Sequence, residues 1–443
     1  MKEVIFLDPK KLSAIRVPDF LKDYFLENKY HLLSKNQKIK NFSLFINLKI
    51  LRKFRLLFLL IKKVKFNFFS PNNSKIIIFD DLSLEVLEKL ISEKKFFTIA
   101  TRLQNIKEIY ISFKIISYIV KNLFMYSLKI NYICALISII KPSKIITIID
   151  NSAEFHIVSN IFKDKGINFY AFQNAYRHEK YLKQILHSYN YSGHYLTFSD
   201  YEMNCVKKAV PKLMTKSRSF GSLRIEIAKE YLKKKGLIQN NIKMYDICLI
   251  SEATFQIGSG TSFKTNLIDR GAVDKSAYLL SYEKITKLVR YLIDFCDKHQ
   301  KKLLILGRAQ IGSNDSNLEK IYYKSILKDK SFKIKFFDKS KYENIRYLLQ
   351  SDLVVGTHST LLRESFGLNK KILVCDWMKE SRDDIYFPGE GIFKLSSEDY
   401  QDFEKKISDL LNLDYSNYIT KVKNLNYIYN SKSDSLDKIR KEL

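Results

Sequence analysis

The amino-acid sequence predicts an α/β fold. Three observations carry that expectation: short apolar runs of buried-strand character, amphipathic stretches at helical spacing between them, and small polar residues closing nearly every run. The alternation occurs twice, and strands that alternate with helices imply a parallel sheet covered on both faces. The expected architecture is therefore two Rossmann-like domains, which suits 443 residues at roughly 100–200 per domain. The first domain is expected over 1–210, with a Lys-rich linker over 211–244 and the second domain over 245–443.

In the first run, Lys75 to Phe79 reads as a strand ending at Asp80-Asp81, and Leu82, Val86, Leu87, Leu90 and Ile91 follow at helical spacing. Helical patterns fill Ile106 to Ile140. Lys141-Pro142-Ser143 breaks them, and Lys144 to Ile149 is a second strand ending at Asp150-Asn151. A helix through Phe155, Val158 and Phe162 stops at Gly166, and Ile167 to Phe172 is a strand running into Gln173-Asn174. Leu196 to Phe198 leads into Ser199-Asp200-Tyr201-Glu202, the Ser-x-x-Glu form of a capping box.

The second run opens with the strand Asp246 to Ile250, followed by a long helix, Tyr282 to His299. Lys302 to Leu306 is a strand closing on Gly307-Arg308, Phe332 to Phe337 a strand, and Tyr342 to Leu349 a helix. Leu353 to Gly356 is a strand opening on Thr357-His358-Ser359-Thr360. A helix over Leu361 to Gly367, a strand over Lys371 to Cys375 and a helix around Tyr400 to Leu411 complete it.

Composition narrows the function. Apolar residues at 46% and aromatics at 14% rule out wholesale disorder. The five cysteines are scattered without a CxxC, which argues against a zinc site or a disulfide framework and fits buried thiols in a reducing cytoplasm. No apolar stretch approaches the roughly 18 residues a spanning helix needs, and the pattern of the first residues sets the expectation of a protein without an export signal.

The charge balance is 76 Lys plus Arg against 47 Asp plus Glu, or +29. Between Glu27 and Asp80 there is no acid and there are twelve Lys or Arg, interleaved with Leu and Phe, most densely over 35–69. Such a strip suits an anionic membrane surface. It also suits a core-facing helix with a solvated basic back. No nucleic-acid signature accompanies it, so nucleic acid is not the expected partner.

Chemistry is expected at strand ends, where open α/β sheets bind ligands. In Gly356-Thr357-His358-Ser359-Thr360 the free amides of the following helix, with the Ser359 and Thr360 hydroxyls, offer a seat for phosphate. Glu364, one turn further in, can accept from a ribose diol or simply serve the helix. The plainer reading makes Ser359 an ordinary helix cap. Arg308 at its strand end can clamp a diphosphate or lie in a surface loop. Glu252 closes the first strand of this half. In the first half Asp150, Glu154 and His156 follow a strand end and are candidate proton-transfer groups, Asp150 foremost; equally, Asp150 caps a helix and His156 packs. Asn174 and Arg177 lie just past the end of the next strand. No metal-ligand spacing, Walker lysine or Gly-x-Ser-x-Gly is present, and Gly258 to Ser262 lacks the context of a P-loop.

The string from Gly-Thr-x-Ser-Thr through the internal Glu to Gly-x-x-Lys-Lys-Ile-Leu-Val resembles the carboxy-terminal, nucleotide-sugar half of the GT-B glycosyltransferases, nearest the bacterial surface-carbohydrate type. The likeness covers about Tyr245 to Leu411 well. It implies a central cleft between the domains, with Ser359, Thr360 and His358 on the donor diphosphate, Glu364 on the ribose and Glu252 lining the cleft. It also implies a glycan acceptor, free or lipid-linked, held by the loops at Asp150 and at Gln173 to Arg177, with Asp150, Glu154 or His156 taking its hydroxyl proton and Asn174 and Arg177 orienting sugar hydroxyls or a phosphate. No cofactor is expected, the nucleotide-sugar being the substrate, and the expected location is cytoplasmic, on the inner face of the membrane. The teichoic-acid polyol-phosphate transferases are more distantly similar; they carry Asp where this chain has Thr357-His358. A UDP-sugar 2-epimerase, a CDP-alditol phosphotransferase and a non-catalytic glycan-assembly scaffold are the alternatives.

Overall fold

The computed structural model describes residues 64–82, 84–91, 95–102, 105–177, 179–237, 243–252, 275–327, 333–338, 341–357, 359–377, 387, 390–423 and 435–443. Most of the basic strip, the loop after Glu252 and His358 lie outside these residues. The chain divides into two compact units: the described part of the first is 64–235 with 435–443, and of the second, 236–423.

In the first unit β1 (Lys65–Asn67) precedes β2 (Ile76–Phe79), α1 (Leu84–Ile91), β3 (Phe96–Ile99) and β4 (Glu108–Tyr110). Then come α2 (Phe113–Lys121), α3 (Leu128–Ile140), β5 (Lys144–Thr147) and α4 (Ala153–Ile161). β6 (Asn168–Phe172), α5 (Glu179–Leu182), β7 (His194–Thr197), α6 (Asp200–Ala209), β8 (Ser217–Ser219) and α7 (Leu223–Lys234) follow. Six strands form one all-parallel sheet in the order β3-β2-β5-β6-β7-β8, while β1 and β4 pair separately. The winding reverses between β2 and β5.

The local chemistry explains these elements. Ile76 to Phe79 are all buried, as a strand covered on both faces requires. Serines 112, 127, 152, 199 and 222 cap the helices that follow them. Lys141 adopts the left-handed conformation that ends α3, just ahead of Pro142, and Gly166 (φ 70°) makes the turn into β6. Ser199 caps as expected, its hydroxyl accepting from the Glu202 amide and donating to the Glu202 carboxylate.

The second unit contains β9 (Tyr245–Ile250), α8 (Lys275–Lys298), β10 (Leu303–Gln310), α9 (Asn314–Leu327) and β11 (Lys333–Phe337). It continues with α10 (Glu343–Leu349), β12 (Ser351–Gly356), α11 (Thr360–Gly367), β13 (Lys371–Cys375), β14 (Lys394–Leu395), α12 (Tyr400–Asn412) and α13 (Tyr415–Lys421). Its sheet is all parallel in the order β11-β10-β9-β12-β13-β14. Numbered within the unit this is 3-2-1-4-5-6, the dinucleotide-fold order, with its switch point between β9 and β12. All five cysteines are buried and free.

The domain boundaries differ from the expectation. The 211–244 stretch is not a linker throughout, because β8 and α7 belong to the first unit. Ser222 caps α7, which buries Leu223, Ile225, Ile227, Ala228 and Leu232; its lysines sit on the outer face and obscure that pattern in the sequence. The final helix α14 (Ser435–Glu442) also joins the first unit rather than the second. Arg440 bonds Glu230 at 2.6 and 3.2 Å and the Lys89 carbonyl at 3.1 Å, and the Lys144 ammonium reaches the Glu442 carbonyl at 2.5 Å. A short terminal helix carries no local signal of where it docks. The described end of the basic strip is the β1 strand, with Phe68 and Phe69 exposed.

Candidate functional site

The second sheet brings its strand ends level: Ile250 pairs with Leu306, and Leu249 with Val355. The residues just beyond, Ser251-Glu252 and Thr357, therefore meet at the switch point. The Thr357 amide donates to Glu252 Oε1 at 3.3 Å, and its hydroxyl donates to Oε2. Gly356 lets the chain pass here, since a Cβ would stand 3.4 Å from Glu252 Oε1 and 3.1 Å from Leu362. Glu252 is thus a buried carboxylate that joins β9 to β12, and this takes it out of simple cleft lining.

Ser359 caps α11, its hydroxyl accepting from the Leu361 amide at 3.3 Å. The cap and the phosphate seat are compatible, because a capping oxygen satisfies one of the four orphan amides of a helix start. Thr360 opens the helix and is half-buried; Glu364 is buried one turn in, beside the fully buried Arg363. Arg308 lies in the outward extension of β10, past a shift in register with β11, and its side chain is exposed.

What holds that extension is Glu319 on α9, which the sequence reading did not find. Its carboxylate accepts from the Arg308 amide at 2.9 and 3.1 Å, from the Ala309 amide at 3.0 Å and from the Ser251 hydroxyl, which in turn accepts from Tyr323 at 2.7 Å. Burial raises the Glu319 pKa, and these donors oppose the shift. One carboxylate therefore ties the ends of β9 and β10. The periodicity of Glu319, Tyr322 and Tyr323 marks a buried helix face, but no local pattern says that a carboxylate there would meet amides from another element.

In the first unit the structure gathers Asp150, His156, Asn174 and Arg177, and it assigns them to each other. Asp150 accepts from Arg177 Nε and Nη2, both at 2.8 Å, from the Tyr195 hydroxyl at 2.6 Å and from the Asn174 amide at 3.2 Å. Asp150 and Tyr195 are fully buried and Arg177 nearly so. Burial pulls the guanidinium pKa down and Asp150 more than offsets it, leaving Arg177 above its ordinary value. With four donors and no solvent contact, Asp150 is not placed to take a proton from an acceptor, and Arg177 is not free to clamp one. These two expectations are corrected on that ground.

His156 is likewise buried, with Nδ1 2.9 Å from the Ile185 carbonyl and Nε2 2.9 Å from the Asp150 carbonyl. A neutral ring donates to only one of them, and burial nonetheless pushes its pKa down to about 4. It packs; it is not exposed as a base. Glu154 sits in the first turn of α4, partly exposed, with the Lys129 ammonium at 2.6 Å. Burial raises its pKa, but Lys129 and its hydrogen bonds carry it below the ordinary value. Asn174 keeps its side chain half-exposed while its amide serves Asp150. His358 lies outside the described residues. Among the described residues no cluster of His, Cys, Asp or Glu is arranged to hold a metal, and no helix is long and apolar enough to cross a membrane.

The chain matches no protein-family model and no curated protein sequence. Solved structures do match. A protein assigned as UDP-N-acetylglucosamine 2-epimerase from Listeria monocytogenes superposes with a TM-score of 0.51 at 11% identity, over 83% of this chain and 95% of that one. UDP-GlcNAc 2-epimerase from Neisseria meningitidis, bound to UDP-GlcNAc, has a TM-score of 0.49 at 12% identity, over 83% and 98%. The wall teichoic acid polymerase TagF has 0.45 at 13%, over 92% and 96%. At such identities the likeness establishes the fold alone. That fold is the GT-B type, two Rossmann-like domains in one chain, and the parallel sheets described above agree with it.

Proposed function

We propose that this chain is a GT-B-type glycosyltransferase that moves a sugar from a nucleotide-sugar donor to a surface-glycan acceptor in the cytoplasm. The observation that supports this reading best is the second-unit switch point, where the amide-rich start of α11, with Ser359 and Thr360, follows a strand pinned by Glu252. A helix start of this kind favours a diphosphate through its orphan amides and its dipole. Glu364 would accept from the ribose and the exposed Arg308 would neutralise the leaving diphosphate. In the reaction the acceptor oxygen bonds to the anomeric carbon, and the carbon–oxygen bond to the diphosphate breaks with its electrons going to phosphate. The acceptor proton leaves to a base. Of the first-unit candidates, Glu154 is the one whose carboxylate reaches solvent.

The second reading is a nucleotide-sugar 2-epimerase, favoured by the Listeria structure, which bears that assignment. A thermal-shift panel of UDP-, GDP- and CDP-compounds, repeated with Glu364→Ala, tests the shared donor site. Stabilisation by one nucleotide family, weakened about tenfold in affinity by the substitution, is expected for a lost charge-assisted pair of about 1.5 kcal/mol. No shift with any nucleotide would leave the scaffold alternative standing. Incubation of the preferred nucleotide-sugar without acceptor then separates the enzymes, since only an epimerase converts it; preference for a CDP-alditol would select the phosphotransferase.

A further inference from the structure

We infer that the α2–α3 corner of the first unit is a docking surface for an anionic lipid bilayer. Helix α2 is apolar on two opposite faces. Ile115 is buried, with Tyr118 and Ile119 packed against the core, while Phe113, Ile116 and Val120 point outward and are exposed. At 3.6 residues per turn these last three fall within one narrow stripe, and Lys114 and Lys121 lie along its flank. A helix that is apolar on the side away from its own core fits a second apolar medium there.

The turn after α2 extends the stripe. Leu123, Phe124 and Met125 are consecutive and exposed, Phe124 at 99% and Phe113, at the other end, at 86%. This tip is held in place. The buried Asn131 side chain donates to the carbonyls of Asn122 (2.8 Å) and Tyr126 (3.0 Å), and the Asn122 amide side chain donates to the Tyr118 carbonyl at 2.8 Å. The fold thus spends a buried amide on presenting three apolar side chains outward. Beside the helix start, the Ser70–Ser112 hydroxyl bond (3.0 Å) and the Phe69–Tyr110 ring contact bring up Phe68 and Phe69, also exposed.

The charge pattern identifies the occupant. Between Glu108 and Asp150 there is no acidic residue and there are five lysines. Glu108 itself is bonded by Asn67 and the Tyr110 hydroxyl, and Glu154 is paired with Lys129. Among the described residues neither Lys114 nor Lys121 has a carboxylate partner. A protruding apolar tip flanked by uncompensated cations matches the acyl-chain and anionic-headgroup layers of a bilayer. A symmetric contact with a second copy would set the same lysines against each other. This surface is distinct from the donor site and needs no nucleotide.

The test uses the full chain in co-sedimentation with vesicles of phosphatidylcholine alone or mixed with phosphatidylglycerol. Binding to the phosphatidylglycerol vesicles, falling as salt is raised, is expected. Phe113→Glu with Phe124→Glu should lower the partition coefficient about tenfold or more, and Lys114→Glu with Lys121→Glu should remove the preference for phosphatidylglycerol. Both side chains of the first pair are almost fully solvated, so its melting curve and nucleotide response should match the parent. The inference is overturned if the parent stays in the supernatant with both vesicles, or if the Phe113/Phe124 variant binds as the parent does. A lipid-free dimer that this variant dissociates would overturn it in favour of an interface between copies.

Discussion

Replacing Asp150 by Asn separates the structural reading of that residue from the catalytic one. The substitution keeps the shape and removes the charge, leaving the Arg177 guanidinium buried without its counter-ion and setting an amide against the Tyr195 hydroxyl. Removing one partner of a buried pair costs about 3–5 kcal/mol. For a domain of this size each kcal/mol is worth roughly 2–4 °C, so the first unit should melt about 6–20 °C lower. Two units need not unfold in one step, and the protein supplies its own control. Its single tryptophan, Trp377, is buried in the second unit, so tryptophan fluorescence follows that unit while far-ultraviolet circular dichroism follows both. The expected result is an early transition in dichroism that fluorescence does not share. Arg177→Met should behave alike, and the double variant should lose less than the sum, because it leaves neither charge stranded. A variant that melts as the parent does but has lost turnover would refute the reasoning and restore Asp150 as the base.

Two further outcomes follow from packing and pairing. Gly193→Ala places a Cβ 2.6 Å from the Phe169 carbonyl oxygen and 2.5 Å from the Tyr191 hydroxyl, with backbone that cannot move aside; a loss of about 1–3 kcal/mol in the first-unit transition is expected, and an unchanged melt would show that β6 and β7 part more easily than their contacts suggest. The second concerns pH. Hydrogen bonding to Arg440 lowers the Glu230 pKa, with burial opposing it, below an ordinary value of 4.5. A carboxylate whose folded pKa is depressed contributes stability above its unfolded pKa and loses it as pH falls through the folded one. Protection of the α14 amides from hydrogen exchange should therefore be constant near neutrality and fall below about pH 4.5, and Arg440→Ala should lower it at pH 7 while flattening this dependence. Equal protection at pH 7 and pH 3 in the parent would dismiss the pair as the anchor.

Much of the secondary structure was legible because it is written over a few residues at a time. Ile76 to Phe79, Asp246 to Ile250 and Lys371 to Cys375 are apolar enough to be strands under any packing, and Ser199 with Glu202 announces a helix start. The two-run alternation then implies two parallel sheets. The polar edge strand Ser217–Ser219 and the lysine-coated α7 were not legible, since neither shows a clean apolar period.

The sequence alone determined the class of fold, the places where strands end, and the small polar residues that wait there. Tertiary structure decided which of those residues are spent on holding the protein together. Asp150 and Arg177 stand 27 positions apart and Ser251 and Glu319 68 apart, yet each pair forms a buried contact. It also decided that α14 closes on the first unit, and that Phe113 and Phe124 face outward while Ile115 faces the core. The reason is one of range. Periodicity and capping act between neighbours along the chain. The partner of a buried charge, or the exposed side of a doubly apolar helix, depends on which distant strand ends the sheet brings level.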